Sequence, residues 1–396
     1  MFFRSYKGTI TACFMGYITQ AIMVNFPPLL FVFFGQHFGI TPDQTTILIA
    51  CNFVTELIVD FVISRYAEKI GYRKLLILAD ILAILGICFM FSLPDLLPES
   101  PFIGLMISMA FCGMGGGLME VLISPVVEAC PTKNKSGMMS LLHSFYCWGQ
   151  VAVVLISTIF FLVFGIDNWQ IMAFLWALIP ACDLLLFIFA PIYSLTPEGT
   201  EEKKPTELVK SKMFWLLVVM MMCAGASELA MSQWASTFAE VTLGVKKWLG
   251  DLIGPCLFAV CMGLSRVFFA KMSEKINLEK GIFISSIICI CSYLLAIFAP
   301  SGFEFLSLIG CAACGIGCGL MWPGTFSIAS KKEPLGGVFM FGMLALAGDF
   351  GCLVGPTSAG VFKGDLKTGF LVALIFPVTL AVISFILFIR DKKKKA

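Results

Sequence analysis

Runs of about twenty apolar residues recur along this chain, and each is long enough to cross the ~30 Å hydrocarbon core of a bilayer as a helix. Lipid offers the backbone no hydrogen-bond partner, so only helices and closed barrels can span it. Barrel strands read as ~10-residue segments of alternating polarity. The runs here are longer and do not alternate, which predicts an all-α membrane protein. Of the 396 residues, 59% are hydrophobic and 13% charged. A soluble domain carries about one quarter charged residues, so this chain has too few charges to cover a water-facing surface. The expected spans are 9–34, 44–64, 75–93, 101–129, 137–164, 169–191, 213–239, 248–270, 281–299, 304–329, 336–361 and 369–389. The first run begins at Gly8 and outlasts a signal peptide without a small-residue cleavage pattern, so it reads as a retained span.

Lysine and arginine set the orientation of such a chain. With the N-terminus inside, the cytoplasmic segments hold 23 of them, and the outer loops hold four, Lys246, Lys247, Lys363 and Lys367. Both termini are therefore expected in the cytoplasm. The longest hydrophilic stretch, 192–212, lies at the midpoint with Pro197, Gly199, Glu201, Glu202, Lys203, Lys204 and Pro205. It divides the chain into an N-terminal six-helix domain (1–191), a cytoplasmic linker (192–212) and a C-terminal six-helix domain (213–396). The halves repeat weakly. Glu68-Lys69-Ile70 follows span 2 and Glu274-Lys275-Ile276 follows span 8, 206 residues later; Gly117-Leu118-Met119 in span 4 returns as Gly319-Leu320-Met321 in span 10, 202 residues later. Two related halves imply a pseudo-two-fold axis along the membrane normal.

The net charge is +2 and the basic residues form no patch, so no nucleic-acid partner is expected. The 16 cysteines lie mostly within apolar runs, as Cys261, Cys311 and Cys314 do. They read as small hydrophobes, and neither a metal nor a cofactor is expected. Enzyme chemistry finds no footing: there is no P-loop and no HExxH, and the only histidines, His37 and His143, lie in different spans.

The loop Ser64-Arg65-Tyr66-Ala67-Glu68-Lys69-Ile70-Gly71-Tyr72-Arg73-Lys74 resembles the signature loop of the major facilitator superfamily, an acid–base pair, a glycine, then basic residues. Ser64 stands where a glycine is usual, and Glu68 replaces the usual aspartate. Span 4 is more specific. Gly116-Gly117-Leu118-Met119-Glu120, followed by Ser124-Pro125, resembles the fucose-permease-like branch, as do Leu142-His143-Ser144-Phe145-Tyr146 and Ser227 to Trp234. Asn25, before Pro27-Pro28, stands where that branch carries an aspartate. The resemblance covers nearly the whole chain. It implies the twelve-helix, two-domain fold and proton-coupled uptake of a sugar by alternating access.

An ionisable group at the bilayer centre costs ~2.5–3.5 kcal/mol and generally faces a cavity or a partner. Glu120, Ser124 and Glu128 share one helical face with Gly113 and Gly117. Glu120 either exchanges a proton or binds substrate, or rests as a neutral acid against a backbone carbonyl. Glu228, after Gly225-Ala226-Ser227, is a second proton-coupling candidate, and Glu56 a third. Gln233 and Trp234 leave the face of Glu228 in an ideal helix, so a common site there requires a distorted span 7. Asn52, Glu56 and Asp60 share a face of span 2. Asp60 and its repeat counterpart Arg266 read as gating residues together with Glu68, Lys69, Arg73 and Lys74, and Asp349 reads as gating or structural. Asp183 should face a neighbouring helix. His143, Tyr146 and Gln150 line one stripe of span 5. Sugar sites pair aromatic faces with amides and acids. The substrate-binding candidates are therefore Gln20, Asn25, Asn52, Glu120, His143, Tyr146, Gln150, Gln233, Trp234 and Trp322, although both tryptophans could equally fill the core. Pro27-Pro28 should kink or break span 1 just beyond Asn25.

The expectation is a monomeric symporter of monosaccharide and protons in the plasma membrane. Its rivals are a proton-driven antiporter exporting hydrophobic compounds and a non-transporting sugar sensor. Several amides and acids in the candidate spans favour a polar substrate, and no signalling domain follows span 12. The charge asymmetry makes one direct prediction. Single cysteines placed in the 192–212 loop and at both termini should react only with label applied from the cytoplasmic side; labelling of the loop from outside would reverse the orientation.

Overall fold

The computed structural model describes residues 5–193, 203–239, 244, 252–300, 303–360 and 365–395. Lys246, Lys247, Lys363 and the middle of the 192–212 loop lie outside the described residues. Twelve helices long and apolar enough to cross a membrane occur among those described. They are α1 (Tyr6–Phe38), α2 (Pro42–Ile70), α3 (Tyr72–Leu96), α4 (Pro101–Ala129), α5 (Lys135–Phe164), α6 (Trp169–Phe189), α7 (Lys212–Thr237), α8 (Leu257–Met272), α9 (Leu278–Phe298), the pair α10 (Glu304–Cys318) and α11 (Met321–Lys332), α12 (Gly337–Gly360), and the pair α13 (Leu366–Ala373) and α14 (Ile375–Lys395). Leu162, Val163 and Phe298 are among many large apolar side chains left exposed, as a lipid-facing surface requires.

Local chemistry explains several ends. Thr41 and Gln44 form a reciprocal capping box at the start of α2, with Pro42 in its first turn. Gly71 alone separates α2 from α3, at φ +97°, where a side chain would be strained. The helix start predicted at residue 44 therefore comes slightly earlier, and α2 continues to Ile70. Pro27 and Pro28 do not break the first span: α1 continues to Phe38. Its second half is held by packing, because Phe26, Leu30, Phe33 and Phe34 are buried in one cluster with Met109 and Trp169.

The chain packs as two compact units, Met1–Pro131 with Trp148–Gly199, and Thr132–Cys147 with Thr200–Ala396. Each is built around helix pairs in backbone contact at glycines. In the first unit, a methyl group added to Gly113 would strike the Asn52 carbonyl, and one on Gly117 would lie 2.9 Å from the Glu56 carbonyl. In the second, Gly315 meets the Phe258 carbonyl and Gly319 the Met262 carbonyl. These residues are related by the offsets read from the sequence, 202 for the glycines and 206 for their partners. The register extends to a third helix. Gly115 packs on Ala79 and Ala83 of α3, and Gly317 on Ser285 and Cys289 of α9. The weak sequence repeat thus marks a repeated packing interface.

Gly225, Gly348, Gly351 and Gly355 bring α7 and α12 together in the same way. The small residues before Glu228 serve close packing, and α7 is α-helical throughout. Overpacking a tight interface costs about 1–3 kcal/mol. Gly115→Val and Gly317→Val should each lower the melting temperature of the detergent-purified protein, whereas Leu162→Val, at an exposed position, should not. Unchanged melting in both glycine variants would reject backbone contact as what sets this packing.

Candidate functional site

In the first unit, α1 and α4 are cross-linked by side chains through the membrane interior. Gln20 Nε2 donates to Glu120 Oε2 at 2.7 Å. The same nitrogen is 3.5 Å from Glu56 Oε1 on α2. One turn away, the Tyr17 and Ser124 hydroxyls are 3.1 Å apart. Gln20, Glu56, Glu120 and Ser124 are all buried. The close approach of α2 to α4 is what admits Glu56, whose Oε1 would lie 2.8 Å from a methyl group on Gly116. Asn52 is buried one turn before Glu56, and Asp60 lies against Gly117 one turn after it. The arrangement is two carboxyls converging on one amide donor, with a tyrosine–serine pair beside them.

In the second unit the centre is Arg266 on α8, 3% exposed. Its Nη2 pairs with Glu228 Oε2 of α7 at 3.3 Å. Its Nη1 donates to the His143 carbonyl at 2.8 Å and to Cys147 Sγ at 3.1 Å. Its Nε donates to the Gly319 carbonyl at 3.1 Å. That carbonyl lacks its usual helical donor because the residue four positions on is Pro323. His143 is buried, and its ring stacks on Phe326, with centroids 5.7 Å apart. The structure therefore brings together Glu228, read as a proton carrier, and Arg266, read as a gating residue.

The other candidates are placed as follows. Asn25 donates to the Ala21 carbonyl of its own helix at 2.9 Å. Tyr146 falls in the second unit and Gln150 in the first, both partly buried. Gln233 is exposed, and because α7 is not distorted it stays off the face of Glu228. Trp234 Nε1 donates to the Pro356 carbonyl at 2.9 Å, tying α7 to α12. Trp322 is buried against Gly348, beside the partly buried Asp349. Asp183 faces α1, 3.3 Å from where a side chain on Gly16 would begin.

The loop after span 2 makes its contact through Arg73. Its Nη1 donates to the carbonyls of Phe187 at 3.2 Å and Ile188 at 2.6 Å. These are among the last carbonyls of α6, which have no intrahelical donor. Glu68, Lys69 and Lys74 are exposed, and the Lys69 ammonium lies over the Tyr66 ring. Arg266 is a buried residue of a span, so it drops out of the cytoplasmic cation count.

Several functional candidates escaped the sequence reading. Tyr17 was detectable from its three-residue spacing to Gln20, which matches the four-residue spacing of Glu120 and Ser124. Asp80 on α3 is fully buried; neither its oxygens nor those of Asp183 have a hydrogen-bond partner among the described residues. At one end of the second unit, Lys203 and Ser211 bind Glu333, and Lys332 binds Glu279 and Asp391. Burial alone would raise the Glu333 carboxyl, but the Lys203 and Ser211 hydrogen bonds and the Lys203 charge hold it below its ordinary value. These partners are 53 to 130 residues apart, and no local pattern announces them.

A family model, that of the Major Facilitator Superfamily, matches residues 9–356. No curated protein is a significant sequence match. Among solved structures, the chain is similar to a variant of the E. coli fucose:proton symporter FucP, with TM-score 0.78 and 15% identity over 97% of this chain and 99% of that one. FucP in the outward conformation gives 0.79 and 16% over the same shares. The proton:xylose symporter XylE bound to 6-bromo-6-deoxy-D-glucose gives 0.79 and 12%, over 96% of this chain and 95% of that one. Likeness at such low identity establishes the fold.

Removing one partner of a buried ion pair costs about 3–5 kcal/mol, and replacing both costs far less. Arg266→Ala should therefore destabilise the purified protein strongly. The double variant Arg266→Met, Glu228→Gln should recover part of the loss in denaturation experiments. Strictly additive losses would show that the two side chains are not coupled.

Proposed function

The chain belongs to the Major Facilitator Superfamily, and we propose that this transporter imports a monosaccharide together with protons by alternating access. The observation that carries the reading is the Gln20–Glu120–Glu56 cluster. A buried carboxyl beside an amide donor costs less when neutral than when charged. Two carboxyls sharing that donor hold one proton between them more cheaply than two negative charges. Such a cluster can load a proton while open to one side and release it when water reaches it from the other. The free amide oxygen of Gln20, which lacks a hydrogen-bond partner among the described residues, is an acceptor for a sugar hydroxyl. The Asn52 amide oxygen is a second.

Structural similarity to fucose:proton and proton:xylose symporters supports the same substrate class. The charge asymmetry supports cytoplasmic placement of both termini, and the protein is proposed to act as a monomer in the plasma membrane. Glu228, paired with Arg266, is a second candidate proton carrier.

Glutamine keeps the shape of Glu120 and cannot ionise. Glu120→Gln in liposomes should lose pH-driven uphill accumulation of sugar while retaining exchange of labelled for unlabelled sugar. Accumulation near the wild-type level would remove Glu120 from the coupling role. Loss of exchange together with binding would instead make Glu120 a sugar ligand.

A further inference from the structure

Three buried thiols meet inside the second unit. Cys289 of α9 lies 3.5 Å from Cys314 and 3.9 Å from Cys318 of α10, and those two are 3.8 Å apart, sulfur to sulfur. Cys314 and Cys318 are four residues apart, so they stack on one helical face. Cys289 reaches them because Gly317 lets α10 lie on the α9 backbone, 2.7 Å from the Cys289 nitrogen to a methyl group placed there. All three side chains are fully buried.

Packing alone does not call for three sulfurs at this point. The internal repeat supplies the comparison, since the counterparts of Cys289, Cys314 and Cys318 at the same offsets in the first unit are Ala83, Cys112 and Gly116. The first unit packs the equivalent helices in the same register with one thiol.

The separations match those of ligands around one ion. Three sulfurs each ~2.3 Å from a central cation, as thiolates are from a d10 metal, lie ~3.8–4.0 Å from one another. They are too far apart for a disulfide, whose sulfurs are ~2.05 Å apart. No nitrogen or carboxylate joins the cluster among the described residues. An all-sulfur set of three selects a soft cation and disfavours magnesium or calcium. The Arg266 guanidinium bonds the carbonyl of Gly319, the residue after Cys318, and places positive charge where bound thiolates would be negative.

We propose that Cys289, Cys314 and Cys318 form a three-sulfur site for one Cu(I) ion, separate from the carboxyl cluster of the first unit. Binding exchanges thiol protons for the cation, with no change in oxidation state.

The test uses the full-length protein in detergent, kept reduced and anaerobic, titrated with Cu(I) buffered by a chromogenic chelator. One tightly held equivalent is expected, with X-ray absorption showing a shell of three sulfurs at ~2.3 Å. Cys289→Ser, Cys314→Ser and Cys318→Ser should each weaken it by more than the roughly 10–100-fold that losing an outer-shell partner costs. Cys311→Ser and Cys223→Ser should leave it unchanged. Copper uptake that survives the triple serine variant would place the metal on other cysteines and overturn the proposal. Should a serine variant misfold, the wild-type absorption spectrum decides alone: two sulfurs, or a nitrogen and oxygen shell, would refute the site.

Discussion

Helix α4 carries a carboxylic acid through the bilayer interior because α2 lies directly against its backbone. Gly113, Gly116 and Gly117 remove the side chains that would hold the helices apart. The space so made is occupied by the second carboxyl, Glu56, and the two acids then reach one amide on α1. That amide offsets part of the cost of placing polar groups in hydrocarbon, several kcal/mol for each one left unsatisfied. Close packing, acid pairing and the α1–α4 link are therefore one device. Enlarging any of the glycines would separate the helices and disperse the cluster.

The second unit solves a related problem with a cation. Pro323 leaves the Gly319 carbonyl without a helical donor, at the point where the tenth span divides into α10 and α11. Arg266 supplies that donor and has enough further N–H groups to bind Glu228 and the His143 carbonyl. A lysine, with a single point charge, could not make this fork of bonds in fixed geometry. The guanidinium thus repairs a helix break and neutralises an acid at once.

What was legible in the sequence follows from how far apart the interacting residues are. The spans were legible because crossing hydrocarbon imposes a length and an apolarity on contiguous residues. Glu56, Glu120 and Glu228 were legible because an acid inside such a run is rare. The shared stripe of Gly113, Gly117 and Glu120 was legible because helical periodicity is local. The partners of these residues were not. Gln20 is 100 residues from Glu120, and Arg266 is 38 from Glu228, so only the packed structure shows which acid faces an amide and which a cation. For the same reason the sequence counted Arg266 among the cytoplasmic cations. Pro27 and Pro28 signalled a kink or a break, and the helix continues through them, held by packing around Phe26 and Phe34.

The repeat register shows where the two units diverged. At the offset that relates α4 to the tenth span, the counterpart of Glu120 is Trp322; at the offset that relates α2 to α8, the counterpart of Asp60 is Arg266. The helix contacts around them are conserved between the units, glycine on carbonyl at each level. The chemistry is therefore not a by-product of packing. The first unit concentrates carboxyls with an amide between them, a composition that favours gaining and losing protons. At the equivalent positions the second unit has an indole and a fixed positive charge, and Glu228 is paired with that charge. A broad apolar ring is instead suited to the C–H face of a sugar. On the proposed reading, the first unit handles protons and Trp322 is the stronger of the two tryptophans as a sugar platform, because the indole of Trp234 is already committed to the Pro356 carbonyl.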